Sequence, residues 1–405
     1  MASVTVDVLV AGGAVTGSSV AFHLAADPAF GGTVLVAEPD PTYARAATAL
    51  SAGSIRQQFS SAINVAVSLH GIAFLRRAHE SLAVEGELPP ELGLREGGYL
   101  YLATTAGRAT LAENHGVQTA MGADIEWLEP AGLSARFPWL STDGLAAGTW
   151  GRTGEGWFDG YGLMAALRAK ARSLGVAYRR ARVVELVTAG ARPTGASVTG
   201  ARVTGARLDD GTEVRAGTVV VAAGAGSRAL AASAGVDLPV DMGKRHVFAF
   251  TCPTPLAGFP LLIDPSGVWC RPDGPGYIAG LAPPDDDDPD APDDFAVDRG
   301  WFDERIWPVL AARIPAFDAL RVRRAWAGHY DMNRFDHNAL LGPVPGLDGV
   351  LVASGFSGHG LQQSPAVGRG LAELVVHGRY VTLDLSPLGY ERYPQGRPLL
   401  ERNIV

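Results

Sequence analysis

DVLVAGGAVTGSSVAFHLA (residues 7–25), followed by TVLVAEPD (residues 33–40), decides how this 405-residue chain is read. The apolar, β-branched run 7–11 predicts a strand, 12–17 a glycine turn and 18–26 a helix. Glu38 closes the next apolar run, 21 residues beyond Gly17. That order is the one an adenine dinucleotide requires. The backbone of Gly12, Gly13, Ala14, Val15, Thr16 and Gly17, with the helix dipole behind it, receives a pyrophosphate. Glu38, with Pro39 beside it, accepts from the ribose hydroxyls. The second glycine of G-x-G-x-x-G is here Ala14. One added methyl predicts a slightly displaced phosphate, not a lost site. A βαβ turn that binds nothing is the alternative.

Working outward, the length predicts two domains. A net charge of −8 offers no basic excess for a nucleic-acid backbone. The only cysteines, Cys252 and Cys270, are too few for a metal cluster and suit a reduced, cytoplasmic protein. No apolar run approaches the ~20 residues of a membrane span, and no basic segment precedes the first apolar run as in a signal peptide. His329, His337 and His359 have no metal spacing, and His23 reads as a helix-packing residue. The run PPDDDDPDAPDDF (283–295) reads as a solvated surface loop, its prolines and missing Gly–Glu pattern arguing against calcium.

Two further strand–glycine–helix passages follow. VVVAAGAGS (219–227) is a strand and small-residue turn of the kind a flavoprotein uses for a second approach to its dinucleotide, and it favours FAD over NAD. Residues 355–360, Gly-Phe-Ser-Gly-His-Gly, lie between an apolar strand and a helix beginning near Gln362. That helix N-terminus suits negative charge arising on a flavin pyrimidine. Between them, 194–217 reads as successive short strands with a hairpin turn at 209–211. HVFAFTC (246–252) and GVWCRPDGPGYIAG (267–280) alternate with period two and predict antiparallel strands. Residues 47–60 read as a small-residue loop before a helix over 62–79. The expected fold is α/β, a discontinuous Rossmann-like FAD-binding domain (1–84, 150–235 and 325–405) with an inserted α+β substrate domain on an antiparallel sheet (85–149 and 236–324).

The segments VAEPDPTYARAATALSAGSIRQQFS (36–60), RIPAFDALRVRRAWAGHYDMNRFDHNALLGPVPG (313–346) and ASGFSGHGLQQSPAVGRGLAELV (353–375) are more specific than the dinucleotide turn. Through them the chain resembles, over nearly its whole length, the D-amino-acid oxidase/glycine oxidase/sarcosine oxidase superfamily of FAD enzymes. Within it the likeness points to the FAD-dependent oxidoreductase domain-containing branch, whose mitochondrial member is linked to complex I assembly. The resemblance implies a flavin ring at the domain interface. It places Thr48, Ser51, Ala52 and Gly53 along the flavin, Val183 against adenine, and Ala223 and Gly224 near the pyrophosphate. Gly355, Gly358, His359, Gly360, Leu361 and Gln362 fall at the pyrimidine edge. Arg56 corresponds to a carboxylate-binding arginine, Tyr330 to an active-site tyrosine, and Arg271 to a basic residue promoting oxygen reduction. Two departures matter. Gly328 stands where sarcosine oxidases carry a flavin-linking cysteine, so the FAD is expected to be non-covalent. Gln362 replaces a lysine that helps hold the substrate carboxylate.

The function expected is oxidation of the C–N bond of an amine or N-substituted amino acid, giving an imine that hydrolyses, with O2 or an electron carrier taking the electrons. Arg56 anchors an anionic group, Tyr330 orients it, and the loop at His359 stabilises reduced flavin. One alternative is a dehydrogenase of a 2-hydroxy acid or amine that feeds a quinone or carrier. The other is a flavoprotein assembly factor without turnover.

Overall fold

The computed structural model describes residues 3–190 and 200–402, so part of the strand reading over 194–217 lies outside the described residues. Its N-terminal sheet has eight strands. Ser3–Ala11 lies between Val34–Glu38 and Glu213–Val221, both parallel to it. Ala177–Arg180 extends the sheet beyond Val34–Glu38, and Leu347–Ser354 pairs in parallel with the end of Glu213–Val221. The parity of each strand sorts its side chains. Val8, Val10, Val34 and Val36 face a layer of helices formed by Val15–Ala26, Gly160–Ser173 and Gly360–His377. Leu9, Ala11, Leu35, Val219 and Val221 face the opposite side, where they pack with residues of Val183–Ala189 and Ala201–Leu208, strands that join the same sheet through Glu213–Val221, and of the helix Ser227–Ala232. Burial on both faces explains why these strands read as unbroken apolar runs.

The second sheet also has eight strands, in the order Arg321–Asn333, Val240–Thr251, Gly276–Gly280, Trp269–Asp273, Leu261–Ile263, Tyr99–Ala103, Ala147–Gly151, Ile125–Leu128. All its pairings are antiparallel except that of Leu261–Ile263 with Tyr99–Ala103. Phe248, Phe250, Phe259, Tyr277, Phe302 and Phe317 form its aromatic core. The strand Arg321–Asn333 pairs along nearly the whole of Val240–Thr251, although the sequence pattern groups most of it with the C-terminal α/β segment.

Two local readings change. Residues 47–60 are more ordered than a loop: Ala47–Leu50 is a short helix, and Ser54–Ile55 pairs with Gly156–Trp157. The acidic run 283–295 is not a merely solvated loop. Asp288 is buried between Arg245 and Arg334, Asp293 pairs with Arg45, Asp294 with Lys244, and Asp290 accepts from the Met242 amide. These contacts bind the run as a strap across the end of the second sheet. The cations lie far away in sequence, so residue order alone conceals them.

Candidate active site

Ser3–Ala11, Glu213–Val221 and Leu347–Ser354 end side by side in parallel, and the three glycine turns leave from those ends. This is the crevice where open α/β sheets bind ligands. Gly12 has φ of +99°, and a Cβ there would lie 2.3 Å from the Ala222 carbonyl oxygen, so the first two turns touch. A Cβ on Gly17 would lie 1.9 Å from the Gly12 carbonyl oxygen. Both glycines are therefore required by close approach, and Ala14 is not, being only the extended residue that precedes the helix. The helix Val15–Ala26 has no side-chain cap and no acidic residue in its first turn, leaving a ready anion site. Thr48 closes over that end, its hydroxyl accepting from the Val15 amide at 3.4 Å.

Glu38 accepts from the Gly13 amide at 2.8 Å and, through its other oxygen, from the Asp40 amide at 2.9 Å. Each oxygen keeps a lone pair for a hydroxyl. Burial raises the Glu38 pKa. The turn at Ala223 and Gly224 adjoins Gly12, and Gly224 adopts φ of +54°. Val183 opens its strand on the same side of the sheet as the second core. These turns and the Glu38 carboxylate fit an adenine dinucleotide.

Between the two sheets lies a cavity of about 500 Å³. Ser51, Ala52, Arg56, Tyr330 and His359 all line it, so the structure brings together residues far apart in sequence. Gly53 shapes the first wall: φ is +65°, and a Cβ would lie 2.3 Å from the Phe158 carbonyl oxygen. On the opposite wall the Tyr330 ring packs onto Gly358, where a Cβ would come within 2.4 Å of it. Gly328 faces Leu50, and neither cysteine is among the lining residues.

Arg56 is buried, with its guanidinium carbon 4.6 Å from the Phe59 ring centre, 5.5 Å from Tyr101 and 6.0 Å from Tyr99. It makes no ion pair with any carboxylate among the described residues, and its Nε has no partner. Its Nη2 donates to His359 Nε2 at 3.0 Å. An arginine cannot accept, so His359 Nε2 is the acceptor and Nδ1 carries the hydrogen. Burial, then the adjacent Arg56 charge, lowers the His359 pKa to about 3 and keeps the ring neutral. Its Nδ1–H is buried without a partner.

Two predicted site residues have other contacts. Gln362 is absent from the cavity wall; its Oε1 accepts from the Arg56 backbone amide at 2.8 Å. It is a support for Arg56 rather than a substrate contact, because a neutral amide oxygen satisfies a buried N–H where a lysine would supply another donor. Arg271 directs Nε and Nη2 to the Ala52 carbonyl and Nη1 to Pro272 and Asp273, so it ties down the 51–53 turn and does not line the cavity. Gly360 and Leu361 begin the helix Gly360–His377, and Leu361 packs over Gly160.

Three supports went unread in the sequence. Asp331 accepts the amides of Gly355 (2.8 Å) and Phe356 (3.2 Å), fixing the third turn, and burial raises its pKa to about 6. Glu155 accepts from the Gln57 and Gln58 amides and from Gln58 Nε2, holding the chain just after Arg56, with its pKa raised by burial to about 7. Arg245 stands over the Tyr330 ring at 5.4 Å. Glu155 sits in the mixed run Gly151-Arg152-Thr153-Gly154-Glu155-Gly156, where nothing in the sequence marks it as buried.

The three-turn crevice, with the cavity between the two sheets beside it, has the geometry of a dinucleotide-binding enzyme. A profile of the FAD dependent oxidoreductase (DAO) family matches residues 7–374, and the chain belongs to that FAD-dependent family. FAD-dependent oxidoreductase domain-containing protein 1 of Xenopus laevis is 41% identical over 423 residues, covering 98% of this chain and 85% of that protein. Among solved structures, the L-proline dehydrogenase of P. horikoshii superimposes with a TM-score of 0.81 at 22% identity, covering 98% of this chain and 100% of the other. The glycine oxidase of Geobacillus kaustophilus gives 0.78 at 24% identity, covering 95% and 98%. Among the described residues no helix is long and apolar enough to cross a membrane, and no His, Cys, Asp and Glu cluster has metal-site geometry.

Proposed function

We propose that this protein binds FAD non-covalently and oxidises the C–N bond of an amine that carries a carboxylate, an N-substituted amino acid being the fitting class. The observation that carries the reading is Arg56, a buried guanidinium in an aromatic box with no carboxylate of its own. A buried charge is costly unless paired, so the site is complete only with an anionic ligand. FAD, when bound, supplies a hydride acceptor for the carbon next to nitrogen. In this reading the first turn and Glu38 hold the dinucleotide, the 48–53 and 223–224 segments flank it, and the first sheet is the cofactor unit. Arg56 binds the carboxylate, and Tyr330 positions the substrate against the opposite wall. Neutral His359 fixes the guanidinium plane through Nε2. The N-terminus of Gly360–His377 favours negative charge beside it. The absence of a cysteine at the cavity wall supports non-covalent binding. The imine product hydrolyses in water, so deamination or N-demethylation follows from which nitrogen substituent is oxidised.

The test is anaerobic mixing of the holoprotein with N-methyl and cyclic amino acids, followed by flavin absorbance. Bleaching by at least one member is expected. Bleaching by 2-hydroxy acids alone, or by nothing in the panel, overturns the reading. Admission of air then separates an oxidase, which recolours quickly and releases peroxide, from a dehydrogenase that needs a carrier.

A further inference from the structure

Part of the cavity wall is built from neither sheet. Leu400 and Glu401 line it, on an irregular segment far beyond the helix Gly360–His377 in sequence. Polar contacts fasten this segment on both sides of Leu400. The Leu399 amide donates to Asp336 at 2.9 Å, and its carbonyl accepts from Asn338 Nδ2 at 2.7 Å. Glu401 accepts from the Ser60 amide and hydroxyl, both at 2.7 Å, from Asn64 Nδ2 at 2.7 Å and from the Ser61 hydroxyl. Each of its oxygens thus takes two hydrogen bonds, which leaves no lone pair for a ligand. Burial opposes its charge, but the hydrogen bonds outweigh burial and lower its pKa. Asn64 also donates to Asn338 at 2.7 Å, so the segment bridges two places already joined: the stretch after Arg56 and the turn after Arg321–Asn333. Phe59, whose ring lies 4.6 Å from the Arg56 guanidinium carbon, immediately precedes Ser60. The anion clamp and this part of the wall therefore hang from one short stretch, 56–64.

Leu400 takes no part in the fastening. Its side chain is 67% exposed, so it contributes little to the fold. A lone exposed leucine is ordinary. This one is fixed through both neighbours at a cavity that holds a buried guanidinium without a carboxylate. Phe335, next to Asp336, lines the same cavity and adds a second apolar side chain from a segment bonded to the first.

We propose that Leu400 is a specificity-determining residue, packing on an apolar substituent of the substrate whose carboxylate Arg56 holds. Glu401 is its positioning residue. The substrate class is then an amino acid whose side chain or N-substituent is apolar and extends beyond a methyl group. This inference rests on the reading of Arg56 as an anion clamp.

The test titrates unreacting straight-chain acids, acetate through hexanoate, into the holoprotein at fixed pH and ionic strength and follows the shift of the flavin spectrum. Wild-type binding is expected to tighten about 4-fold for each methylene that leaves water. Acetate, too short to reach Leu400, is the internal reference. Leu400→Ser is expected to lower the ratio of hexanoate to acetate affinity about 10-fold, whereas Leu400→Met, which keeps an apolar side chain, preserves it. Glu401→Ala, which releases the segment, lowers the ratio as Leu400→Ser does and leaves acetate binding in place. Equal weakening of all acids in Glu401→Ala overturns its positioning role. A wild type with no gain along the series, or a ratio unchanged in Leu400→Ser, overturns the assignment of Leu400 and leaves the Arg56 clamp standing. Failure of every acid to shift the spectrum overturns the clamp, and the role of Leu400 with it.

Discussion

Replacing Gln362 with lysine separates two opposed readings of that position. The likeness to sarcosine oxidases makes a lysine there a second cation for the substrate carboxylate, so Gln362→Lys should tighten anion binding. The structure predicts the reverse. Gln362 Oε1 is the acceptor for the Arg56 amide, and Ser68 donates to the Arg56 carbonyl beside it. Lysine offers no acceptor, so a buried N–H is orphaned at about 1–3 kcal/mol. The ammonium is also buried behind a guanidinium, where desolvation and like charge add a further cost of about 1–3 kcal/mol. A total near 4 kcal/mol, at roughly 2–4 °C per kcal/mol for a cooperative unit of ~200 residues, lowers Tm by roughly 8–16 °C. Gln362→Glu keeps the acceptor and holds Tm near that of the wild type, but its charge beside Arg56 weakens anion binding. The assay is thermal unfolding of the holoprotein with acetate titration of the flavin spectrum. Wild-type Tm together with tighter acetate binding in Gln362→Lys would refute the reasoning.

Other outcomes follow from the same contacts. Gly17→Ala puts a methyl 1.9 Å from the Gly12 carbonyl oxygen, so the variant is expected to purify with little or no FAD, measured by the flavin-to-protein absorbance ratio. Asp331→Ala strands the Gly355 and Phe356 amides and raises the FAD dissociation constant, for about 1–3 kcal/mol, roughly 5- to 150-fold, read by fluorescence titration of the apoprotein. Glu155 has its folded pKa raised from 4.5 to about 7, so the folded state keeps a proton that the unfolded chain loses in that window. Its contribution therefore makes stability fall as pH rises from 4.5 to about 7 and stay flat above, by about 3 kcal/mol in all. Denaturation midpoints of Glu155→Gln should lack that slope, and an equal slope in both proteins would show that Glu155 is ionised throughout.

The cofactor half of the molecule was legible because its constraints are local. Gly12, Gly17 and Glu38 answer to one turn and the next strand, and the apolar runs at 7–11, 34–38 and 218–222 announce strands buried on both faces. The turns at 222–226 and 355–360 could be read in the same way, each lying between a strand and a helix. What escaped the sequence was long-range pairing. Asp288 looks like one acid in a solvated run until the second sheet brings Arg245 and Arg334 to it. Gln362 lies in a glycine-loop segment that suggests ligand contact, but its oxygen serves a residue 306 positions away. Arg271 reads, through the resemblance, as the basic residue that promotes oxygen reduction, whereas its donors are taken by carbonyls and Asp273. Residue type and spacing disclose a backbone cradle; which donors remain unpartnered is a property of the folded chain.

The central claim is that Arg56 awaits a substrate carboxylate. Its most direct test is the anaerobic rate of flavin reduction by an N-methyl amino acid that bleaches the wild type and by the same amine lacking the carboxylate, in wild type and in Arg56→Met. A buried charge-assisted pair worth about 2–5 kcal/mol predicts that the wild type prefers the acid by roughly 30- to 4,000-fold in rate per substrate concentration, and that Arg56→Met loses the preference. Equal rates for acid and amine in the wild type, or a preference unchanged in the variant, would contradict it.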